Sequence, residues 1–186
     1  MTKSLVIFGT GDIAELAYTY FESDSAYEVV AFTVDSEFLG PAEFCDRPVV
    51  EFESLAERYS PENHHLFIAL SYASLNAIRK AKFEAGKVLG YSSRASVLNA
   101  GQIGENCFIL EDNTIQPFVN IGDNVTLWSG NHIGHHSTIG DHCFVASHVV
   151  VSGGVTIGPQ CFIGVNATLR DHIEIGERCV IGAGAL

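Results

Sequence analysis

Residues 127–145 read LWSGNHIGHHSTIGDHCFV, with a branched aliphatic side chain at every sixth position. The same six-residue period runs without insertion from Val97 to Ile181, and all fifteen positions of the series are Val, Ile or Leu. Glycine often follows the aliphatic residue, as at Gly134 and Gly140. A strict short period predicts one structural unit stacked on copies of itself, because each unit buries its apolar face only against its neighbours.

Each six-residue unit, or hexad, predicts a short strand and a turn, and three hexads make one triangular coil of eighteen residues. The fifteen hexads therefore predict a prism of five coils, on the order of 24 Å tall at about 4.8 Å per strand. The aliphatic side chains point inward, whereas His, Asn and acidic residues lie mostly at outward positions. Glycine after the aliphatic residue is expected to allow a tight turn.

The first part of the chain, residues 1–95, alternates between strand and helix patterns. Three apolar runs predict strands and three segments with helical spacing predict helices, in the order 4–8, 12–22, 29–34, 52–59, 66–70 and 75–87. Strand and helix in alternation predict a small parallel sheet with helices on its faces. The sequence therefore predicts two domains, an α/β domain at 1–95 and an all-β domain at 96–186.

Composition and charge exclude several classes of protein. The formal net charge of −12 argues against nucleic-acid binding, which needs a basic face. No segment is apolar enough to cross a bilayer and the N-terminus is too short for a secretory signal, so we expect a cytoplasmic protein without a membrane partner. Only Arg170 and Arg178 are basic between residues 97 and 186, so phosphates there would rely on backbone N–H groups or a neighbouring subunit.

Four of the five cysteines share one place in the hexad, four residues after the aliphatic residue, namely Cys107, Cys143, Cys161 and Cys179. Val or Ala takes this place in other hexads, which predicts a small inward-facing position. We therefore expect buried thiols and neither disulfides nor metal ligands. The histidines do not show convincing metal-ligand spacing either, so no metal site is predicted.

The first candidate site is the turn Gly9-Thr10-Gly11-Asp12-Ile13-Ala14 between the first strand and the first helix. It fits the G-x-G-x-x-A pattern, in which N–H groups at a helix N-terminus point at a phosphate. Asp35 ends the second strand, about where an acid would bind a ribose or a base. Three interpretations stay open: a turn for close packing, a site for a redox dinucleotide, or a site for a nucleotide or nucleotide-sugar.

The second candidate site is a histidine cluster around His135, which lies two residues after Ile133 and should project outward from a rigid coil. A neutral imidazole there could take a proton from an incoming amine or hydroxyl. A solvated polar surface explains the residue equally well. For His142, His148 and His172 we favour the solvated surface.

The third candidate is Gly153, which lies eighteen residues after His135 and should therefore stack beside it. A glycine N–H next to a histidine could stabilise the oxyanion of a tetrahedral intermediate. A glycine that only allows a turn is the alternative.

Together, the glycine turn and the hexads that carry His135-His136-Ser137-Thr138-Ile139-Gly140 resemble one bacterial family. These are the sugar acyltransferases of the sialic-acid O-acetyltransferase type, including the N-acetyltransferases that modify UDP-4-amino-sugars and GDP-perosamine. The resemblance covers nearly the whole chain. It implies a Rossmann-like half domain at 1–95 that binds the nucleotide-sugar, and a left-handed parallel β-helix at 96–186. It also implies a homotrimer with acetyl-CoA bound between adjacent prisms.

The resemblance also implies roles for individual residues. The catalytic histidine of the family corresponds to His135, and the N–H that meets the thioester oxygen corresponds to Gly153. Contacts to CoA correspond to Gly153, Val165 and Ala183. Contacts to the nucleotide-sugar correspond to Gly9, Thr10, Gly11, Asp35, Ser71 and Tyr72.

Three positions depart from the family pattern. His136 stands where a carboxylate often follows the base, Trp128 where Asn is common, and Phe144 where a second His can occur. Family members usually continue with a closing strand and a tail that helps to hold CoA, so we expect the natural chain to extend beyond Leu186.

We therefore expect an acetyl-CoA-dependent N-acetyltransferase that modifies a nucleotide-linked amino-sugar for surface polysaccharide synthesis. Transfer would be direct, with His135 as the general base. One alternative is an O-acetyltransferase of a sugar hydroxyl, such as that of a sialic acid. The other is a non-catalytic β-helix scaffold, to which the missing acid after His135 would point.

Overall fold

The structure is a computed structural model that describes residues 3–90 and 102–186. The first predicted hexad, at Val97, and the predicted domain boundary at 95 and 96 lie outside the described residues. The described chain forms two compact units, one from 3–71 with 81–90 and the other from 72–80 with 102–186. Residues 72–80 therefore pack with the C-terminal repeats.

The N-terminal elements confirm the alternation of strand and helix. In chain order they are β1 Lys3–Phe8, α1 Asp12–Asp24, β2 Tyr27–Val34, β3 Glu43–Phe44, β4 Arg47–Glu51, α2 Leu55–Arg58, β5 His64–Ile68 and α3 Ala77–Val88. The strands form one sheet in the order β3-β4-β2-β1-β5, in which only the β3–β4 pair is antiparallel. The predicted small parallel sheet is thus confirmed. None of the described helices is long and apolar enough to cross a membrane.

The hairpin of β3 and β4 is not indicated by the sequence pattern. Its two-residue turn is formed by Cys45 and Asp46, which both have positive φ angles of 49° and 56°. A turn with two left-handed residues is the type that matches the twist of the strands it joins, and Asn-Gly or Asp-Gly is its usual signal. Because neither residue is glycine, that signal is absent here.

The second unit consists of two-residue strands that form three parallel sheets. The described strands are β6 Gln102–Ile103, β7 Phe108–Ile109, β8 Thr114–Ile115, β9 Asn120–Ile121, β10 Thr126–Leu127, β11 His132–Ile133, β12 Thr138–Ile139, β13 Phe144–Val145, β14 Val150–Val151, β15 Thr156–Ile157, β16 Phe162–Ile163, β17 Thr168–Leu169, β18 Glu174–Ile175 and β19 Val180–Ile181.

The sheets have the orders β19-β16-β13-β10-β7, β17-β14-β11-β8 and β18-β15-β12-β9-β6. Every strand therefore pairs with the strand three further along the chain, as where Leu127 pairs with Val145 and Ile133 pairs with Val151. This pairing confirms the predicted eighteen-residue coil. Stacked parallel sheets of this kind fit the left-handed β-helix that the resemblance implies.

The aliphatic series and the cysteines form the core of the prism, as predicted. Cys107, Cys143 and Cys161 are fully buried, and Cys179 is half-buried. The Sγ–H of the three buried thiols donates to a glycine carbonyl fifteen residues later, at 3.1 to 3.2 Å. Burial raises the pKa of Cys107 to about 12. Hydrogen bonding with Cys143 lowers the pKa of Cys161 to about 6, but the Cys161 side chain is fully buried and out of reach of a substrate. Because burial closes all three thiols to solvent, the column serves packing and we expect no nucleophile among them.

Glycine after the aliphatic residue has a different cause from the one expected. A positive φ occurs three residues after the aliphatic residue, at every sixth position from Asn106 to Gly184. Where another coil follows in the structure, the glycine directly after the aliphatic residue, by contrast, lacks room for a side chain. A Cβ built on Gly134 would lie 2.6 Å from the carbonyl carbon of Ser152. The tight-turn explanation is therefore wrong, and close approach of successive coils is the reason.

Several polar residues that were expected to face solvent are buried instead. Asn106 and Asn124 are fully buried, and His142 is 5% exposed. Nδ2 of Asn106 donates to Oδ1 of Asn124 at 2.6 Å, and Nδ2 of Asn124 lies 2.9 Å from Nδ1 of His142. The prediction that His142 faces solvent is therefore wrong, because residues 72–80 cover this edge of the prism.

Arg79 is the main anchor of that covering segment. Its guanidinium donates from Nη1 to the carbonyl of Asn124 and from Nη2 to the carbonyl of Asn106 at 3.0 Å. Asn76 adds a bond from Nδ2 to the carbonyl of His142 at 2.6 Å. Burial lowers the pKa of Arg79 to about 10, so its guanidinium is still charged at neutral pH.

Replacing Arg79 with methionine should destabilise the second unit. The variant removes two donors from buried carbonyl groups, each of which costs about 1–3 kcal/mol when it loses its hydrogen bond. We expect the free energy of unfolding, measured in urea, to fall by at least about 1 kcal/mol. Lys80→Met is the matched control, because Nζ of Lys80 makes one partly buried contact, 3.3 Å from Oε1 of Gln160. Equal losses in the two variants would contradict the anchoring role of Arg79.

Candidate active site

His135 and Gly153 are neighbours, as their eighteen-residue spacing predicts. His135 follows β11 and Gly153 follows β14, and these two strands pair directly. A Cβ built on Gly153 would lie 2.7 Å from Cε1 and 2.9 Å from Nε2 of His135. The imidazole is exposed to solvent, so it points out of the prism. The geometry thus brings together a titratable ring and a backbone amide without a side chain.

The backbone and ring of His135 are held by three contacts. Its N–H donates to Oε1 of Gln116 at 2.9 Å, and its carbonyl accepts from the N–H of Gly154 at 2.9 Å. Its Nδ1 lies 3.0 Å from Nδ1 of His136. Because Nδ1 is engaged by the neighbouring ring, Nε2 is the nitrogen left for proton transfer.

The N–H of Gly153 donates to no acceptor among the described residues. At the corresponding places in other coils, the N–H of Glu105 donates to Oδ1 of Asp123 and that of Asp123 donates to Oδ1 of Asp141, both at 2.8 Å. An amide without an acceptor beside an imidazole suits stabilisation of a negative oxygen that forms during a reaction.

Val165 and Ala183 lie at another edge of the prism. They follow β16 and β19, which belong to a different sheet from β11 and β14. The two residues stack in successive coils, and the N–H of Gly184 donates to the carbonyl of Val165 at 2.8 Å. Val165 is 44% exposed. One prism therefore carries these two residues and the His135–Gly153 pair on separate edges.

The glycine turn lies in the first unit, where the carboxyl ends of β1, β2 and β5 meet at one edge of the sheet. Gly9 has a φ of 117°, and a Cβ there would lie 3.0 Å from the carbonyl oxygen of Ala69, so glycine is required. Gly11 precedes α1 with a φ of −102°, and no atom of the described residues lies within 4 Å of a Cβ built on it. Gly11 is therefore not needed for packing, and its place is open to a ligand. Thr10 is half-buried between them.

Asp35 follows β2 at the same edge and pairs with a residue that the sequence analysis missed. Nζ of Lys82, from α3, lies 2.5 Å from Oδ1 of Asp35 and 5.5 Å from the centre of the Phe8 ring. The first turn of α1 carries two acids, Asp12 and Glu15. Lys82 is thus a cation at an edge of the sheet where the first turn of α1 carries only acidic side chains, and its charge is balanced by Asp35.

Ser71 and Tyr72 are both exposed but belong to different units. Ser71 follows β5 in the first unit. The ring of Tyr72 packs on the β-helix, with its centre 4.7 Å from that of Phe144 and 4.9 Å from that of Phe162. Phe144, which stands where the family can have a second histidine, is thus part of an aromatic cluster. The ring centre of Trp128 lies 6.3 Å from that of Phe144.

Within the described ranges, no three or more His, Cys, Asp or Glu side chains are grouped so that they could hold a metal ion.

Comparison with protein families supports the assignment of the repeats. The family model of the bacterial transferase hexapeptide (six repeats) matches residues 101–135, 118–153 and 154–186. Residues 101–186 thus match the hexapeptide repeat of bacterial transferases, in agreement with the six-residue period. No curated protein sequence matches the chain.

Several solved structures have the same fold as this chain. PerB from Caulobacter crescentus, in complex with CoA and GDP-perosamine, has a TM-score of 0.83 at 21% identity, over 99% of this chain and 88% of that chain. The acetyltransferase domain of PglB from Neisseria gonorrhoeae FA1090 has a TM-score of 0.82 at 19% identity, over 98% of this chain and 89% of that one. WeeI from Acinetobacter baumannii AYE has a TM-score of 0.67 at 18% identity, over 98% and 90%. At these identities the likeness establishes a shared fold.

Proposed function

We propose that this protein is an acetyl-CoA-dependent N-acetyltransferase that acts on a nucleotide-linked amino-sugar. The observation that carries the proposal is the contact between the His135 ring and Gly153, whose N–H has no acceptor in the described structure. A base and an oxyanion donor side by side are the two groups that acyl transfer from a thioester to an amine requires.

In the proposed reaction, the amine nitrogen attacks the thioester carbonyl carbon and forms the new C–N bond. Nε2 of His135 accepts the proton from that nitrogen, and the N–H of Gly153 donates to the carbonyl oxygen while it carries negative charge. The C–S bond then breaks, and the thiolate of CoA takes the proton from His135. Transfer is direct and needs no acyl-enzyme, in agreement with the burial of Cys107, Cys143 and Cys161.

The nucleotide-sugar is assigned to the edge of the first unit formed by Gly9, Thr10, Gly11, Asp35 and Ser71. No described atom lies within 4 Å of a Cβ built on Gly11, so there is space for a ligand beside this residue. No side chain caps the N-terminus of α1 with a hydrogen bond. Backbone N–H groups at such a helix end can therefore bind a phosphate. Tyr72 belongs to the second unit and packs on the β-helix, so its assignment to the nucleotide-sugar rests on the family resemblance alone.

Acetyl-CoA is assigned to Gly153, Val165 and Ala183, and this assignment requires more than one chain. Gly153 lies on one edge of the prism, and Val165 and Ala183 lie on another. One extended ligand therefore contacts all three positions where the first edge of one prism faces the second edge of a neighbouring prism. A homotrimer provides three such pairs of edges by symmetry. A cytoplasmic location and a role in surface polysaccharide synthesis complete the proposal.

The similar structures support the substrate class. PerB was solved in complex with CoA and GDP-perosamine, and a second structure of the PglB domain is in complex with acetyl coenzyme A. Variants of the perosamine N-acetyltransferase with one histidine replaced by asparagine or alanine have also been solved with CoA and GDP-perosamine. These enzymes share the fold of this chain, so the same pair of substrates is the first to test.

An assay of CoA release tests the proposal and its alternatives together. Acetyl-CoA is incubated with the protein and with free, UDP-linked, GDP-linked or CMP-linked sugars that carry either an amine or only hydroxyl groups. We expect release with a nucleotide-linked amino-sugar. Release with a hydroxyl acceptor alone would instead favour the O-acetyltransferase. Absence of release with every acceptor would favour the scaffold and contradict the enzyme.

Replacing Lys82 with methionine should weaken the nucleotide-sugar more than it slows the reaction. The variant removes the cation that is paired with Asp35. If the ammonium group of Lys82 also contacts a phosphate of the ligand, loss of that charge-assisted hydrogen bond should weaken binding by about tenfold. We expect KM for the nucleotide-sugar to rise by that factor while kcat changes little. Lys87→Met is the matched control, since Lys87 lies on the same helix over the Phe83 ring. A normal KM in Lys82→Met would remove Lys82 from the site.

A further inference from the structure

His136 stands where members of the resembled family often have a carboxylate, and the structure shows what it contacts. Its Nδ1 lies 3.0 Å from Nδ1 of His135, and the two ring planes are nearly perpendicular, at 86°. A hydrogen bond between two Nδ1 atoms needs a proton on one of them and a lone pair on the other. The contact therefore links the tautomer of one ring to that of its neighbour.

The backbone and the preceding coil hold His136 in this position. His136 has a φ of 61°, and its N–H donates to the carbonyl of Pro117 at 3.3 Å. Its ring packs on Phe118, with 4.7 Å between ring centres and 34° between planes. Phe118 itself has a φ of 67° and is 73% exposed. A bulky residue rarely takes that conformation and gains little from burial here, so its contact with the His136 ring is its clearest structural role.

We propose that His136 is a positioning residue that accepts a hydrogen bond from Nδ1–H of His135 and so keeps Nε2 of His135 free to act as the base. This inference rests on the proposed function. In the opposite arrangement, His136 donates from Nδ1 and His135 carries its own proton on Nε2, where it cannot accept another. A second neutral imidazole thus replaces the acid that usually orients a catalytic histidine.

A neutral partner differs from a carboxylate in its effect on charge. After His135 takes up a proton on Nε2, its Nδ1–H still donates to His136, so the positive charge is stabilised by a hydrogen bond and not by an anion. Gln116 and Phe118 on one side and Gly153 and Gly154 on the other do not titrate. The next titratable residues along this edge are Asp171 and His172, and the His172 ring lies against Gly154.

Three replacements of His136 separate positioning from a structural role. Asparagine tolerates a positive φ and keeps an acceptor, glycine tolerates it and removes the acceptor, and glutamate introduces a charge. We expect His136→Gly to lower kcat by about tenfold or more, the value of a hydrogen bond to a charged group, with KM for both substrates within about twofold. His136→Asn should keep most of the wild-type kcat.

The pH profile gives a readout that a structural role would not move. An anion beside His135 favours its protonated form, so the acid limb of kcat/KM should move to higher pH in His136→Glu than in the wild type. Asp112→Gly and Asp112→Asn are matched controls, because Asp112 has a φ of 59° at the same place in another hexad. Both controls should leave the profile unchanged. An unmoved acid limb in His136→Glu, or equal losses in His136→Gly and His136→Asn, would overturn the proposal.

A spectroscopic measurement keeps this inference separate from the proposed function. Long-range proton–nitrogen NMR of ¹⁵N-histidine protein reports which ring nitrogen of His135 carries the proton. We expect the Nδ1–H form in the wild type and in His136→Asn, and loss of that preference in His136→Gly. The Nε2–H form in the wild type would overturn the positioning role even if the enzyme is active. Failure to release CoA with any acceptor would instead overturn the proposed function.

Discussion

His135→Ala should lower kcat by about 10²-fold or more, the usual contribution of a positioned general base. The loss should fall on kcat more than on KM, because Nε2 of His135 acts on the proton that moves in the transition state. The reaction with a nucleotide-linked amino-sugar is followed by CoA release. Because His135 is exposed and lies outside the core, its replacement should leave the thermal unfolding midpoint and the oligomeric state unchanged.

His148→Asn is the matched control for this variant. His148 is another exposed histidine of the prism, and its φ of 57° suits asparagine. It should retain the wild-type kcat. If His135→Ala is as active as the control, His135 has no part in proton transfer and the enzymatic mechanism fails at its first step.

Gly153→Ala should lower kcat by about 10²-fold, because the new methyl group displaces the base. The Cβ would lie 2.7 Å from Cε1 and 2.9 Å from Nε2 of His135, too close for the ring to stay in place. Displacement of a catalytic group by about 1 Å is enough for a loss of that size. Gly153 does not have a positive φ, so alanine fits the backbone and the exposed ring can swing into solvent. The thermal unfolding midpoint should therefore change little.

Gly40→Ala is the control for a glycine replacement. Gly40 also lacks a positive φ, and no atom of the described residues lies within 4 Å of a Cβ built there. It should have the activity of the wild type. A fully active Gly153→Ala would show that the contact between His135 and Gly153 has no role in the reaction, whatever the result for His135→Ala.

The sequence predicts the prism and the contact between His135 and Gly153 well, because both follow from one period. Aliphatic residues six apart form the core, and residues eighteen apart become neighbours, as Thr126 and Phe144 do in adjacent strands. The same spacing of eighteen residues places His135 beside Gly153. It does not explain the glycine that often follows the aliphatic residue, because the space around its Cα depends on how closely the next coil approaches.

The period has no information about residues outside the repeat. Arg79 and Asn124 are 45 residues apart, and Lys82 and Asp35 are 47 apart, and neither spacing belongs to a repeating unit. The burial of His142 was missed for the same reason, since the segment that covers it carries no hexads. Such contacts depend on the path of one particular helix.

The spacing of residues along the chain thus decided the coil, its register and the juxtaposition of His135 with Gly153, because stacked copies keep a constant separation in sequence between neighbours in space. Only the folded chain decided the rest. The turn at His136 aims one ring nitrogen at another, and α3 carries Arg79 to buried carbonyls and Lys82 to Asp35. These contacts depend on side-chain direction and on non-repeating packing, which a periodic pattern cannot specify.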